Sequence, residues 1–197
     1  MATEIASKKY ALILSTAREL FWKYGFKRVS IEELCVKAKV SKMTFYKFFP
    51  NKIELAKRVF INESEAGLKK FKSILHENKS PAETLKKIVQ LKLEGSANIS
   101  KDFLLDFYEN NDEGLKDFVM QASRSAWLKI IKEIREAQRK RVFTSSIRPE
   151  LLMHFSEAMA SMITNKELLE YYASAHDLIK ELTHLMAYGL GADKKSK

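Results

Sequence analysis

Between Ser30 and Lys52 the chain reads SIEELCVKAKVSKMTFYKFFPNK, a stretch that permits little except two short helices on a tight turn. Ser30 and Glu33 have the spacing of a capping box, so a helix starts at Ile31 with its first N–H groups satisfied. Ile31, Leu34, Cys35 and Ala38 recur at i, i+3, i+4 and i+7 and give that helix one apolar face. Lys39-Val40 leaves room only for a turn. Ser41 can cap a second helix, Lys42–Phe49, and Pro50 ends it by forcing the preceding residue out of the α region. Asn51 and Glu54 repeat the cap pattern and start a third helix. This is the layout of a helix-turn-helix, which presents one helix to the major groove of DNA.

The second helix sorts its side chains by chemistry. Val40, Phe45 and Phe48 or Phe49 can turn inward, which leaves Lys42, Met43, Thr44, Tyr46 and Lys47 outside. Lysines suit phosphates, Thr44 and Tyr46 can bond phosphates or base edges, and Met43 can meet a thymine methyl. An amphipathic helix with a solvated lysine face would look the same taken alone. The caps, the turn and the preceding helix favour the reading of a DNA-facing helix.

Residues 10–60 resemble the N-terminal domain of TetR/AcrR-type bacterial transcriptional regulators. The resemblance is carried by Ile13-Leu14-x-x-Ala17-Arg18-Glu19-Leu20-Phe21, by Tyr24-Gly25-Phe26 and by Ser30-Ile31-x-x-Leu34. It continues through Ala38-x-Val40-Ser41 and Thr44-Phe45-Tyr46-x-x-Phe49-x-Asn51-Lys52. Two residues depart from it. Lys39 stands where the family usually has glycine, so a non-glycine residue must take a left-handed backbone there. Met43 stands where a small residue or proline is common and enlarges the tip of the reading helix. The resemblance implies that Ser30, Lys42, Thr44, Tyr46, Lys47 and Lys52 face DNA, with Met43 altering specificity.

Charge argues for the same partner independently. The chain carries 35 Lys+Arg against 25 Asp+Glu, a formal net charge of +10. Residues 1–60 hold 13 basic and 5 acidic side chains, so +8 of that charge lies in the first third. Such concentration is the electrostatic footprint of nucleic-acid binding. The apolar stripe of the first helix, about Lys8 to Tyr24, is Ala11, Leu14, Ala17, Leu20, Phe21 and Tyr24, and reads as a core face rather than a membrane-binding one.

No run approaches the ~18 uninterrupted apolar residues of a membrane span, and no signal-peptide pattern opens the chain. The single cysteine excludes an internal disulfide and suits a reducing, cytoplasmic setting. Cys35 lies on an inward face and is expected in the core.

The remaining sequence reads as helix, with six glycines and three prolines to interrupt it. The expected helices are Asn51 to about His76, Ser80 to Gly95, Lys101 to Glu109, and Asp112 to Arg139. Pro149 to Ile163 follows, then Asn165 to Tyr188 with Gly189 and Gly191 as its stop, and a disordered tail Ala192–Lys197. The expectation is an all-α chain of about nine helices: a helix-turn-helix DNA-binding domain over residues 1–52 and a ligand-sensing and dimerisation domain over 53–197. A long helix links the two.

In the family resembled, the body encloses a small-molecule pocket and supplies a four-helix dimer interface. Carried onto this chain, the pocket would be lined by Gln90, Leu93, Phe103, Phe107, Tyr108, Phe118, Gln121 and Trp127, which suit an apolar or amphipathic effector. The dimer interface would use Leu151, Phe155, Met159, Met162, Leu178, Leu182 and Leu185. The implied partners are a palindromic double-stranded operator, a small effector and a second copy of the chain, with no cofactor. The sequence leaves two alternatives open. One is a low-specificity architectural DNA-binding protein. The other is a helical-bundle metalloenzyme built on Glu181-x-x-His184, for which no second such pair exists.

Overall fold

A computed structural model describes residues 2–77, 79–109 and 114–188, and these form ten α-helices with no strand among them. α1 (Ala2–Tyr24), α2 (Ile31–Lys37) and α3 (Lys42–Phe48) make a three-helix head, and α4 (Lys52–Leu75) leads out of it. α5 (Pro81–Ser96), α6 (Lys101–Tyr108), α7 (Leu115–Arg139), α8 (Pro149–Ile163), α9 (Lys166–Glu170) and α10 (Ala175–Tyr188) build the body. The start expected at Asp112 and the stop at Gly189, Gly191 and Ala192–Lys197 lie outside the described residues.

Caps set most boundaries. Ser30, Ser41, Asn51, Ser80, Ser100 and Asn165 each accept a hydrogen bond from a backbone N–H of the first turn that follows. Ser80 and Glu83 complete a reciprocal capping box, with Pro81 at the first helical position. The single helix expected over Asn165–Tyr188 is two helices. Ser174 Oγ accepts from Asp177 N at 3.1 Å and restarts the chain after a break at Tyr171–Ala173.

The head is tightly packed. Ile13, Ala17, Phe21, Leu34, Ala38 and Phe45 are wholly inaccessible, and the first turns of α4 join them through Ile53, Leu55, Ala56 and Val59. The same core continues into α6, through Phe103, Leu104 and Phe107, and into the start of α7. It ends at Leu169, Ala175, Leu178 and Ile179 around α9 and α10. α4 packs along α7, α5 and α1, while α10 packs on α5.

Candidate nucleic-acid interface

The presentation of α3 follows from its two caps and the turn before it. Lys39 has φ of 52°, the left-handed backbone expected where glycine is absent. Around it Ala38 N donates to Leu34 O at 2.8 Å and Val40 N to Cys35 O at 3.0 Å, so the end of α2 is closed without a loop. Ser41 Oγ then accepts from Thr44 N at 3.1 Å and lies 3.0 Å from the Thr44 hydroxyl. At the far end Phe49 N donates to Phe45 O, and Pro50 follows.

Phe45 anchors this helix in the core, and Phe49, 4% exposed, stacks on Tyr10 at 5.4 Å. Phe48 is only half-buried and meets the edge of Tyr10. Of the two residues able to turn inward, Phe49 is the buried one. The opposite face projects Met43, 70% exposed, and Tyr46, 53% exposed, with Lys47 exposed beside them and Thr44 half-buried. Large apolar tips left in water on a basic head have contact area to gain against base edges and methyl groups.

Lys42 is also exposed, but it is paired with Glu32 of α2. That ion pair pushes the Lys42 ammonium above the ordinary lysine range and holds the Glu32 carboxyl below its own. Lys37 is similarly paired with Glu19 at 2.6 Å, and the Glu19 carboxyl is lowered in consequence. Both pairs are solvent-exposed, so phosphate oxygens can compete for the same ammonium groups. Ser30 sits exposed at the start of α2, its Oγ accepting from Glu33 N at 3.0 Å. Cys35 is 4% exposed, and burial pushes its thiol up, as expected of a core cysteine.

Lys52 departs from the expected DNA-facing role. Its Nζ donates to Phe26 O at 2.9 Å and Val29 O at 2.9 Å, and lies 4.3 Å from the centroid of the Phe26 ring. The reason is its position at the first residue of α4, directly beneath the α1–α2 loop. The charge braces that loop instead of projecting from it.

A joint between head and body lies on the other side of the same loop. Lys27 N donates to Asp106 Oδ2 at 2.8 Å, and Ser100 N donates to Trp22 O at 2.8 Å. Gly25 has φ of +79°, and a Cβ there would sit 2.7 Å from Asp106 Oδ2 and 2.9 Å from Asp102 Cβ. The Tyr-Gly-Phe motif therefore keeps its glycine for two reasons, a left-handed backbone and the close approach of α6. Phe103 and Phe107, expected in a pocket, stack instead with Trp22, Phe21 and Phe26, the Trp22–Phe103 centroids being 4.3 Å apart. They are core because α6 crosses against α1. Sequence reasoning missed Asp106, Asp102 and Trp22, since contacts spanning some eighty residues leave no local periodicity to read.

The other expected pocket residues are scattered. Gln90 is exposed, bonds Glu94 at 2.7 Å, and lines a shallow groove of about 330 Å³ between α4 and α5. Leu93, Tyr108, Phe118 and Trp127 are half-buried and Gln121 is exposed. Phe118 lies under the Lys57 ammonium at 5.5 Å. A second groove, about 360 Å³, runs between the end of α8 and α9.

On the expected dimer face, Leu151, Phe155, Met162 and Leu185 are exposed and Leu182 is half-buried. Leu178 and Met159 are buried within this chain: Leu178 belongs to the common core and Met159 faces inward on α8. No described helix is long and apolar enough to cross a membrane.

Residues 13–59 match the family described as bacterial regulatory proteins, tetR family. No curated protein matches the sequence. Among solved structures, the chain is similar to the fatty acid degradation regulator FadR from Bacillus halodurans, with 18% identity and a TM-score of 0.68 over 92% of this chain and 96% of that one. FadR from Bacillus subtilis in complex with stearoyl-CoA is similar at 14% identity and a TM-score of 0.66, over 92% of this chain and 100% of that one. The regulatory protein TetR from Rhodobacter sphaeroides gives 15% and 0.68, over 91% and 97%. At these identities the likeness is one of fold.

Proposed function

Because residues 13–59 match the tetR family of bacterial regulatory proteins and the fold is similar to solved regulators of that kind, we propose that the chain is a homodimeric TetR/AcrR-type repressor released from a palindromic operator by a small apolar or amphipathic effector. The observation that carries this reading is the tip of α3, where Met43 and Tyr46 stand exposed on a helix anchored by Phe45 and capped by Ser41. A head built only for nonspecific attraction would need lysines there, not two large side chains left in water. The half-exposed and exposed apolar residues Leu151, Phe155, Met162 and Leu185 on α8 and α10 supply a face that a second copy would cover.

Regulation rests on linkage. An effector that prefers one spacing of the two heads shifts the population toward it, and a coupling of ~1–3 kcal/mol changes DNA affinity about five- to 150-fold. Two elements join body to head: α4, which starts in the head core at Ile53 and Leu55, and α6, which holds the α1–α2 loop through Asp106. Lys101 at the start of α6 donates to Leu169 O at 2.7 Å and Tyr172 O at 2.8 Å, so α6 is also tied to the α9–α10 turn. A shift in the body has a path of packed groups to the loop that Lys52 braces.

The test is selection of purified protein on a random double-stranded library at near-physiological salt. Enrichment of a palindrome is expected, with half-sites one helical turn or more apart. Clear binding at low salt without any enrichment would support an architectural protein instead.

A further inference from the structure

Two helices of this chain close on the same backbone arrangement, and in both a basic residue stands where that arrangement favours glycine. At the end of α2, Lys39 N donates to Val36 O at 3.1 Å and Val40 N to Cys35 O at 3.0 Å, with Lys39 at φ of 52°. At the end of α7, Arg141 N donates to Gln138 O at 3.0 Å and Val142 N to Ala137 O at 2.9 Å, with Arg141 at φ of 58°. Such a pair of bonds around a left-handed residue is a Schellman close, where glycine avoids the clash that a Cβ brings. Asn98, at φ of 66°, is of a type that tolerates this backbone, whereas lysine and arginine are not. A cation near a helix C-terminus regains part of that strain from the helix dipole, and it does so equally at both places.

Their surroundings differ. Lys39 lies between Ala38, which is wholly buried, and Val40, which packs against the head core, so its own exposed side chain is turned to solvent. From Lys39 the chain runs through exposed Ser41 and Lys42 to Met43, the tip of α3. A recognition helix sets its N-terminal residues against base edges, in a groove about 8.5 Å deep. The segment that leads into such a helix passes the sugar–phosphate wall of that groove, and Lys39 is on this segment. Arg141 is remote from it. Lys72 meets Glu133 of α7 at 2.8 Å, which puts the end of α7 beside a point on α4 about 30 Å from Lys52 at 1.5 Å per residue.

The charge on Lys39 is also the available one. Lys37 is held by Glu19 at 2.6 Å and Lys42 by Glu32, but among the described residues Lys39 has no acidic partner. A phosphate that meets Lys39 displaces no carboxylate.

We propose that Lys39 is a DNA-backbone contact, its ammonium set against the phosphates that border the groove entered by α3. The proposal rests on the DNA-reading role of α3 and adds to it a residue that raises affinity without choosing sequence.

Fluorescence anisotropy of the full chain tests this between about 50 and 200 mM salt. The probes are a random-sequence duplex and a duplex carrying the palindrome recovered by selection. Lys39→Asn keeps the turn and removes the charge. It should weaken binding to both duplexes about three- to tenfold and reduce the salt slope by about one per head, with the selected motif unchanged. Lys39→Gly should lose the same affinity while its Tm rises by about 1–4 °C, a combination that poorer folding cannot produce. Lys39→Arg should keep wild-type affinity. Arg141→Gly should gain a similar Tm and bind DNA as wild type does.

Wild-type affinity and salt slope in Lys39→Asn and Lys39→Gly overturn the contact. So does a loss in Lys39→Arg equal to that in Lys39→Asn, or a changed motif. An equal loss in Arg141→Gly overturns it too, since total charge and not a contact would then be at work. Failure of the wild type to bind either duplex at low salt overturns the DNA-reading role together with the contact, whereas a binding wild type with unaffected Lys39 variants overturns the contact alone.

Discussion

The head and the upper body of this chain are both helical, yet they are packed on different terms. In the head, six side chains from three helices are wholly inaccessible, and aromatic rings such as Phe45, Phe49 and Tyr10 lock α3 in place. In α5 the one buried apolar residue is Val89, and the middle of α7 has none. Close packing fixes one arrangement, as a reading surface needs, whereas a stretch with few buried side chains is held less firmly. The α1–α2 loop lies where the closely packed head meets the more loosely packed body.

The largest effect should come from opposing truncations in the two regions. Phe45→Ala should cost about 3–5 kcal/mol and abolish DNA binding, because a cavity opens in a core that cannot collapse. Trp127→Ala should cost well under half of that despite removing a larger side chain. Denaturant unfolding of both variants checks the contrast, and equal losses would erase it. At the joint, Gly25→Ala should cost about 1–3 kcal/mol from the left-handed backbone, with the clash against Asp106 added. Its DNA affinity should fall more than its stability alone explains, read by anisotropy at a temperature where the variant is folded.

Lysines sharpen the comparison within the head. Lys52→Ala should lower stability by about 1–2 kcal/mol through the lost carbonyl bonds, with little change in the salt dependence of DNA binding. Lys47→Ala should do the reverse, leaving stability intact and reducing the salt slope by about one. The smallest effect is expected from Glu32→Gln. With its partner neutralised Lys42 is released to phosphate, and DNA affinity should rise a few-fold at low salt and fade at higher salt.

Much of the head was legible because its signals are local. Caps at Ser30, Ser41 and Asn51, the Pro50 stop and the left-handed Lys39 are all decided within four residues of chain. Helices of the body were legible for the same reason, except the break at Tyr171–Ala173, where a Ser174 cap sat inside an apolar pattern. What the sequence concealed is which side of each helix meets which neighbour. Phe103 and Phe107 read equally as pocket or core, and only the crossing of α6 against α1 decides for core. Lys52 read as a DNA contact, and only the placement of the Phe26 and Val29 carbonyls shows it to be a brace.

The central claim is that α3 reads bases through its exposed tip. Selection of wild type and Met43→Ala side by side on one random double-stranded library tests it most directly. The account predicts palindromes of the same half-site spacing for both, with changed base preference at one or two symmetric positions in the variant. Identical motifs from the two proteins would contradict it, since Met43 would then touch nothing that carries sequence.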